Sequence, residues 1–196
     1  MRGMDLPRAE PRRERADAAR NRARVLAAAE RLFARHGRNV TMEQLAAAAG
    51  VGKGTLYRRY PDVASVAIAL LDEHERVLQD RLLHGPAPLG PGAPPAERLA
   101  AFYRAMVELL ERHGHLALAA ETGARRYGTG AYRAWRLHVG ALLAEAGLGD
   151  HPALADALLA PLAPDLFAHQ RSSARTPDEI AADLTLLAHR TLGDRR

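Results

Sequence analysis

The stretch from Thr41 to Tyr60, TMEQLAAAAGVGKGTLYRRY, reads as two short helices joined by a tight turn. Thr41 and Gln44 stand in capping-box spacing, so the threonine hydroxyl and the glutamine amide can each satisfy a backbone N–H at a helix start. Val40 and Leu45 occupy the positions of a hydrophobic staple, and the spacing predicts a helix beginning at Met42. Leu45, Ala46 and Ala49 give it a thin apolar stripe that a neighbouring helix can approach closely, and Gly50 supplies the backbone freedom to stop and turn. A second helix is expected from Gly52 to Arg59, with Val51, Leu56 and Tyr60 packing inward. It carries Lys53, Thr55, Tyr57, Arg58 and Arg59, all hydrogen-bond donors. Helix, turn and donor-rich helix together have the chemistry of a helix-turn-helix reader of DNA.

Two other readings of the stretch are weaker. A solvated basic hairpin explains the charges but not the agreement of caps, turn and donors. Gly52-Lys53-Gly54-Thr55 suggests a phosphate-binding loop, yet Ala47 stands where that motif needs glycine, Gly54 where it needs serine or threonine, and no strand precedes it. The residues resemble instead the DNA-binding domain of the TetR family of transcriptional regulators. Ala49-Gly50-Val51, Gly54-Thr55-Leu56-Tyr57-Arg58 and Tyr60-Pro61 carry the resemblance, which spans about residues 20 to 66. It implies that Thr41, Val51, Gly52, Lys53, Gly54, Thr55, Tyr57, Arg58 and Arg59 form the DNA contact set. Family members usually carry a lysine near the start of the next helix. Val63 stands there in this chain, so one phosphate contact is expected to be missing, with Arg58 or Arg59 taking up its work.

Composition agrees with a basic head on a less basic body. The chain has 196 residues and a net charge of +5, but residues 1–61 hold fourteen Lys and Arg against six Asp and Glu. The remaining residues hold fourteen against seventeen, so only the first third is built to approach a polyanion. No cysteine is present, which removes disulfides, thiol chemistry and cysteine metal sites. No apolar run is long enough to cross a membrane and no leader pattern precedes the chain, so a cytoplasmic location is expected.

Outward from the central stretch, residues 1–15 read as a disordered basic arm whose Arg8, Arg12, Arg13 and Arg15 receive no site assignment. Val25, Leu26, Ala29, Leu32 and Phe33 recur at helical spacing in a helix from Asp17 to His36, with Gly37 at its end. The DNA-binding head is placed at 16–61 and a ligand-binding and dimerisation body at 62–196. A long helix from Asp62 to Leu83 links them, and the Pro- and Gly-rich residues 84–95 form a loop. Further helices are expected over 96–113, 116–121, 131–146, 152–169 with a kink at Pro161, and 177–192 with a capping box from Thr176 to Glu179. The expected fold class is all-α, about nine helices without a strand.

Catalysis has little material. His113 and His115 lack zinc-site spacing, and serine occurs only at positions 65, 172 and 173, with no nucleophile elbow around any of them. No enzyme, cofactor or metal is expected. A ligand-independent architectural DNA binder would need only the basic head, and the large body argues against it. Phe102, Tyr103, Met106, Leu118, Glu121, Tyr132, Trp135 and His138 gather aromatic, thioether and polar chemistry on three helices, which marks a candidate pocket for a small-molecule effector. Leu154, Leu158, Leu159 and Leu162, with Ile180, Leu184, Leu187 and Thr191, form stripes on the last two helices and are assigned to a homodimer interface. The resemblance implies the rest: a repressor binding a palindromic operator as a homodimer and released by its effector.

Overall fold

The computed structural model describes residues 10–120, 127 and 129–193, and every regular element among them is helical. The chain divides into two compact units, one ending at Leu70 and one starting at Leu71. The division falls inside one long helix, later than the Pro61 expected from the sequence.

The first unit holds α1 (Glu10–His36), α2 (Met42–Ala49), α3 (Lys53–Arg59) and the first turns of α4 (Val63–His84). Helix α1 begins within the stretch assigned to the arm. Glu10, Arg12, Arg13, Glu14, Arg15 and Ala16 are all good helix formers and extend the helix that the apolar periodicity starts. Gly37 takes φ +56° in a short 3-10 turn after α1. The start of α2 is capped as expected: Thr41 Oγ1 accepts from the Gln44 amide at 3.2 Å, and Gln44 Oε1 accepts from the Thr41 amide at 2.9 Å. Helix α2 packs on α1 and on α3, and Leu45 and Leu56 are almost wholly buried between such surfaces. Burying each is worth about 1.5–3 kcal/mol.

The second unit is built around α5 (Pro95–Ala120), which packs on α6 (Gly130–Glu145), on α8 (Pro164–Ser172) and most extensively on α9 (Pro177–Leu192). Helix α7 (Pro152–Leu159) packs on α6. Leu99, Phe102, Tyr103, Val139, Leu142 and Leu143 form the centre of this core. Helix α5 is continuous where two helices were expected, because Gly114 lies at a position with space around it and Leu116 is buried, so packing holds the helix through the glycine. Gly123 lies outside the described residues. The single kinked helix expected over 152–169 is two helices separated by the 3-10 turn Ala160–Leu162. Pro161 and Pro164 each remove a backbone donor, and the second proline starts α8 instead of bending α7. The capping box of α9 forms, with Thr176 Oγ1 accepting from the Glu179 amide at 3.2 Å and Glu179 Oε2 accepting from the Thr176 amide at 2.8 Å. The loop after α4 is folded onto itself, with Leu89 buried and the Gly90 amide donating to the Pro86 carbonyl at 2.9 Å.

Candidate DNA interface and ligand pocket

In the head, the turn between α2 and α3 is fixed before any side chain reaches outward. Gly50 adopts φ +61°, its amide donates to the carbonyls of Ala46 and Ala47, and the Val51 amide returns to Ala46 at 3.1 Å. Arg24 of α1 donates from Nη2 to the Gly50 carbonyl at 2.8 Å, which ties the turn to the first helix. This latch had no signal in the sequence, where Arg24 is one arginine among many.

The turn presents α3 with its donors in two rows. Lys53 and Tyr57 form one row, a helical turn apart, on the side of Glu43 in α2. Lys53 Nζ lies 3.7 Å from Glu43 Oε1, and the Tyr57 hydroxyl donates to the same oxygen at 3.5 Å. Both contacts are exposed and worth less than about 1 kcal/mol, so Glu43 holds the two side chains loosely. Thr55, Arg58 and Arg59 form the second row, lining a groove of about 490 Å³ whose opposite wall includes Asn21 and Arg22 of α1. The Arg59 guanidinium lies 5.9 Å from the centroid of the Tyr60 ring. Thr41 is exposed at the start of α2 and Val51 half-buried in the turn. Gly52 and Gly54 are exposed, and a Cβ added at Gly54 would meet nothing within 4 Å. Asp62 caps α4, accepting from the Ser65 hydroxyl and amide at 2.7 Å each, and these bonds hold its carboxyl below the usual carboxylate range.

In the body, the candidate effector residues separate into two groups. Phe102 and Tyr103 are core: both have no exposure, and the Tyr103 hydroxyl donates to the Leu158 carbonyl at 2.9 Å. Burial pushes the Tyr103 phenol above its ordinary value. The Phe102 ring is flanked by Trp135 at 5.6 Å and His138 at 5.3 Å. His138 Nε2 is buried without a hydrogen-bond partner, and burial, helped by the nearby Arg98 charge, lowers the imidazole to about 4.

Met106, Tyr132 and Trp135 do line a cavity, of about 40 Å³. The Tyr132 hydroxyl is held by Asp156, which accepts from it and from Arg136 Nε at 2.9 Å each. The other walls come from residues that sequence reasoning did not assign to a pocket, including Leu71 and Glu75 of α4, His113 of α5, and Leu159, Leu162 and Pro164. Nothing in the α4 periodicity distinguishes Glu75 from a solvated residue. His113 is buried, and its ring stacks on His74 with centroids 4.1 Å apart. Leu118 lies on α5 with its side chain outside the described residues, and Glu121 lies outside them altogether.

The stripes assigned to the dimer interface are corrected by their burial. Leu158, Leu159, Leu162, Ile180 and Leu184 belong to the core of the chain's own body, and Leu154 and Leu187 pack at its edge. Thr191 is half-buried and donates its hydroxyl to the Leu187 carbonyl at 2.9 Å. Periodicity located the apolar faces of these helices, but α5 covers them. On α8 and α9 the exposed large apolar residues are Leu166 and Leu186.

Residues 25–70 match the family model described as bacterial regulatory proteins, tetR family. No curated protein matches the chain. Among solved structures, a TetR-like transcriptional regulator from Rhodococcus sp. RHA1 aligns with a TM-score of 0.58 at 20% identity, covering 97% of this chain and 100% of the other. The fatty acid degradation regulator FadR from Bacillus halodurans aligns with a TM-score of 0.62 at 18% identity, covering 90% and 96%. NalD, the secondary repressor of the MexAB-OprM multidrug efflux pump in Pseudomonas aeruginosa, aligns with a TM-score of 0.54 at 22% identity, covering 90% and 98%. The matched segment contains the capped α2, the left-handed Gly50 and the donor helix α3, so by its head the chain is a member of the tetR family of bacterial regulatory proteins, and its helical body completes the fold of that family's solved regulators.

Proposed function

We propose that this protein is a transcriptional repressor that binds a palindromic operator as a homodimer and leaves it when a small molecule enters the body. The observation that carries the reading is α3: five exposed donors and two open glycines on a helix of seven residues and its cap, held by a capped α2 and the latched Gly50 turn. Lys53 and Arg58 address base edges or phosphates from opposite rows, while Thr55 and Tyr57 hold phosphates. Thr41 keeps its hydroxyl proton for a phosphate while its oxygen caps α2. FadR and NalD, whose names tie them to fatty acid degradation and to repression of an efflux pump, support a repressor with a metabolite or drug as effector. Helix α4 runs unbroken from Val63 to His84, so a ligand that displaces Leu71 or Glu75 acts on the same helix that begins just after the reader in the chain. The effector then works through its differential affinity for two body shapes.

The test is operator affinity as a function of salt, on an inverted repeat found beside the protein's own gene. Lys53→Ala and Arg58→Ala are each expected to weaken binding by about 1–3 kcal/mol if they read bases, or to flatten the salt dependence if they hold phosphates. Tyr57→Phe loses a phosphate donor and should weaken binding uniformly across sequences. Parent-like binding by all three variants at every salt concentration would remove α3 as the reader.

A further inference from the structure

Resting on the effector reading above, we propose that the body pocket selects an apolar organic cation, a slim hydrocarbon carrying one basic nitrogen, and rejects a carboxylate of the same shape. The walls of the cavity are leucines, Met106, Pro164 and the rings of Tyr132 and Trp135, and its ionisable groups besides the Tyr132 phenol are Glu75 and His113. Among the described residues, no lysine or arginine lines it. A ligand carboxylate would therefore meet Glu75 as a like charge in an enclosure with little water, where such repulsion is strong. An ammonium finds the opposite situation: Glu75 as countercharge, and two electron-rich ring faces for the part of the cation that leaves water. His113 adds a second hydrogen-bonding group at a buried position.

The size of the cavity narrows the ligand further. About 40 Å³ holds no more than a few waters, so a ligand enters only by displacing side chains. Met106 is the wall best able to yield, being unbranched and flexible, whereas Tyr132 is pinned by Asp156. A linear chain fits such an opening better than a fused ring system.

The experiment uses the full chain and three probes of equal length, decylammonium, decanol and decanoate, each below its micelle-forming concentration. Binding is read from the emission of Trp135, the single tryptophan, and from the shift in thermal midpoint. Decylammonium should bind best, decanol more weakly, and decanoate weakest. Glu75→Gln should weaken decylammonium about tenfold or more, since it removes the countercharge, while leaving decanol unchanged. Retained decanol binding shows that the variant is folded, and Glu75→Asp should restore part of the preference. Decanoate binding as tightly as decylammonium, or an unchanged preference in Glu75→Gln, overturns the cation assignment while leaving the pocket in place. If none of the three probes alters Trp135 emission or the thermal midpoint, the pocket itself is not a ligand site and both readings fall.

Discussion

At the scale of the residue, the most consequential side chains are those whose surroundings set their protonation or their reach. His138 is neutral in the fold because burial disfavours the imidazolium and Arg98 opposes it, which brings the group from 6.5 to about 4. The unfolded chain binds that proton first as pH falls. The contribution of His138 to stability is thus complete above pH 6.5 and is lost as pH drops from 6.5 through 4. Its full size is on the order of 2–3 kcal/mol, at about 1.4 kcal/mol for each tenfold change in proton affinity. Denaturant unfolding at pH 7 and pH 4 should therefore show a smaller acid loss for His138→Gln than for the parent, by roughly that amount. An equal loss in both proteins would mean that His138 charges freely in the fold. Arg24 illustrates reach: its bond to the Gly50 carbonyl joins residues 26 apart in sequence, and a Cβ at Gly50 would collide with Arg24 Nη2. Glycine is required there twice over, for its positive φ and for the arginine beside it.

At the scale of the element, two glycines lie inside helices with no internal reason for their small size. A methyl added at Gly54 of α3 would have nothing within 4 Å, and at Gly114 of α5 the nearest atom would be Phe167 Cδ1 at 4.0 Å. Alanine at either position should raise stability by about 0.5–1 kcal/mol through helix propensity. Only Gly54 lies on the donor helix, where a missing side chain lets a phosphodiester backbone come close. Gly54→Ala is thus expected to be more stable and to bind operator less tightly, whereas Gly114→Ala gains stability with affinity unchanged. Thermal melts and operator titrations of the two variants separate these effects, and equal affinity for both would deny Gly54 a role at the DNA. The same contrast explains why some helix boundaries follow the sequence pattern and others do not. Helix α5 passes through Gly114 because burial of Leu116 and its neighbours outweighs a propensity cost of about 1 kcal/mol. The helix expected over 152–169 is broken because two prolines close together remove donors that no packing can restore.

At the scale of the whole molecule, a palindromic operator requires two heads spaced by one turn of DNA, on the order of 34 Å, and hence a dimer. With Leu158, Leu159, Leu162, Ile180 and Leu184 committed to the body core, the face of α8 and α9 left for a second copy carries Leu166, Ala182 and Leu186. Leu166 is 39% exposed and Leu186 57%. Glutamate at both leucines should leave the fold intact and reduce the mass seen by light scattering to that of one chain, with operator affinity falling in step. Glutamate at Leu158 and Leu184 should instead unfold the body, because a buried unpaired carboxylate costs several kcal/mol. A double variant at Leu166 and Leu186 that remains dimeric would exclude this face.

The head was legible because its determinants are local. The Thr41–Gln44 capping box, the left-handed Gly50 and the donors of α3 act over three or four residues, distances at which sequence spacing is already geometry. The Thr176–Glu179 box marked the start of α9 for the same reason. Periodicity also found the apolar faces of the body helices, but it could not say what would cover them. Tertiary packing decided that the stripes of α7 and α9 face their own core and that Phe102 and Tyr103 belong to that core. It also drew a pocket from Leu71 to Pro164, residues far apart in the chain. A sequence encodes which side chains seek burial, and only the competition among all helices for the same apolar surface settles which partner each one obtains.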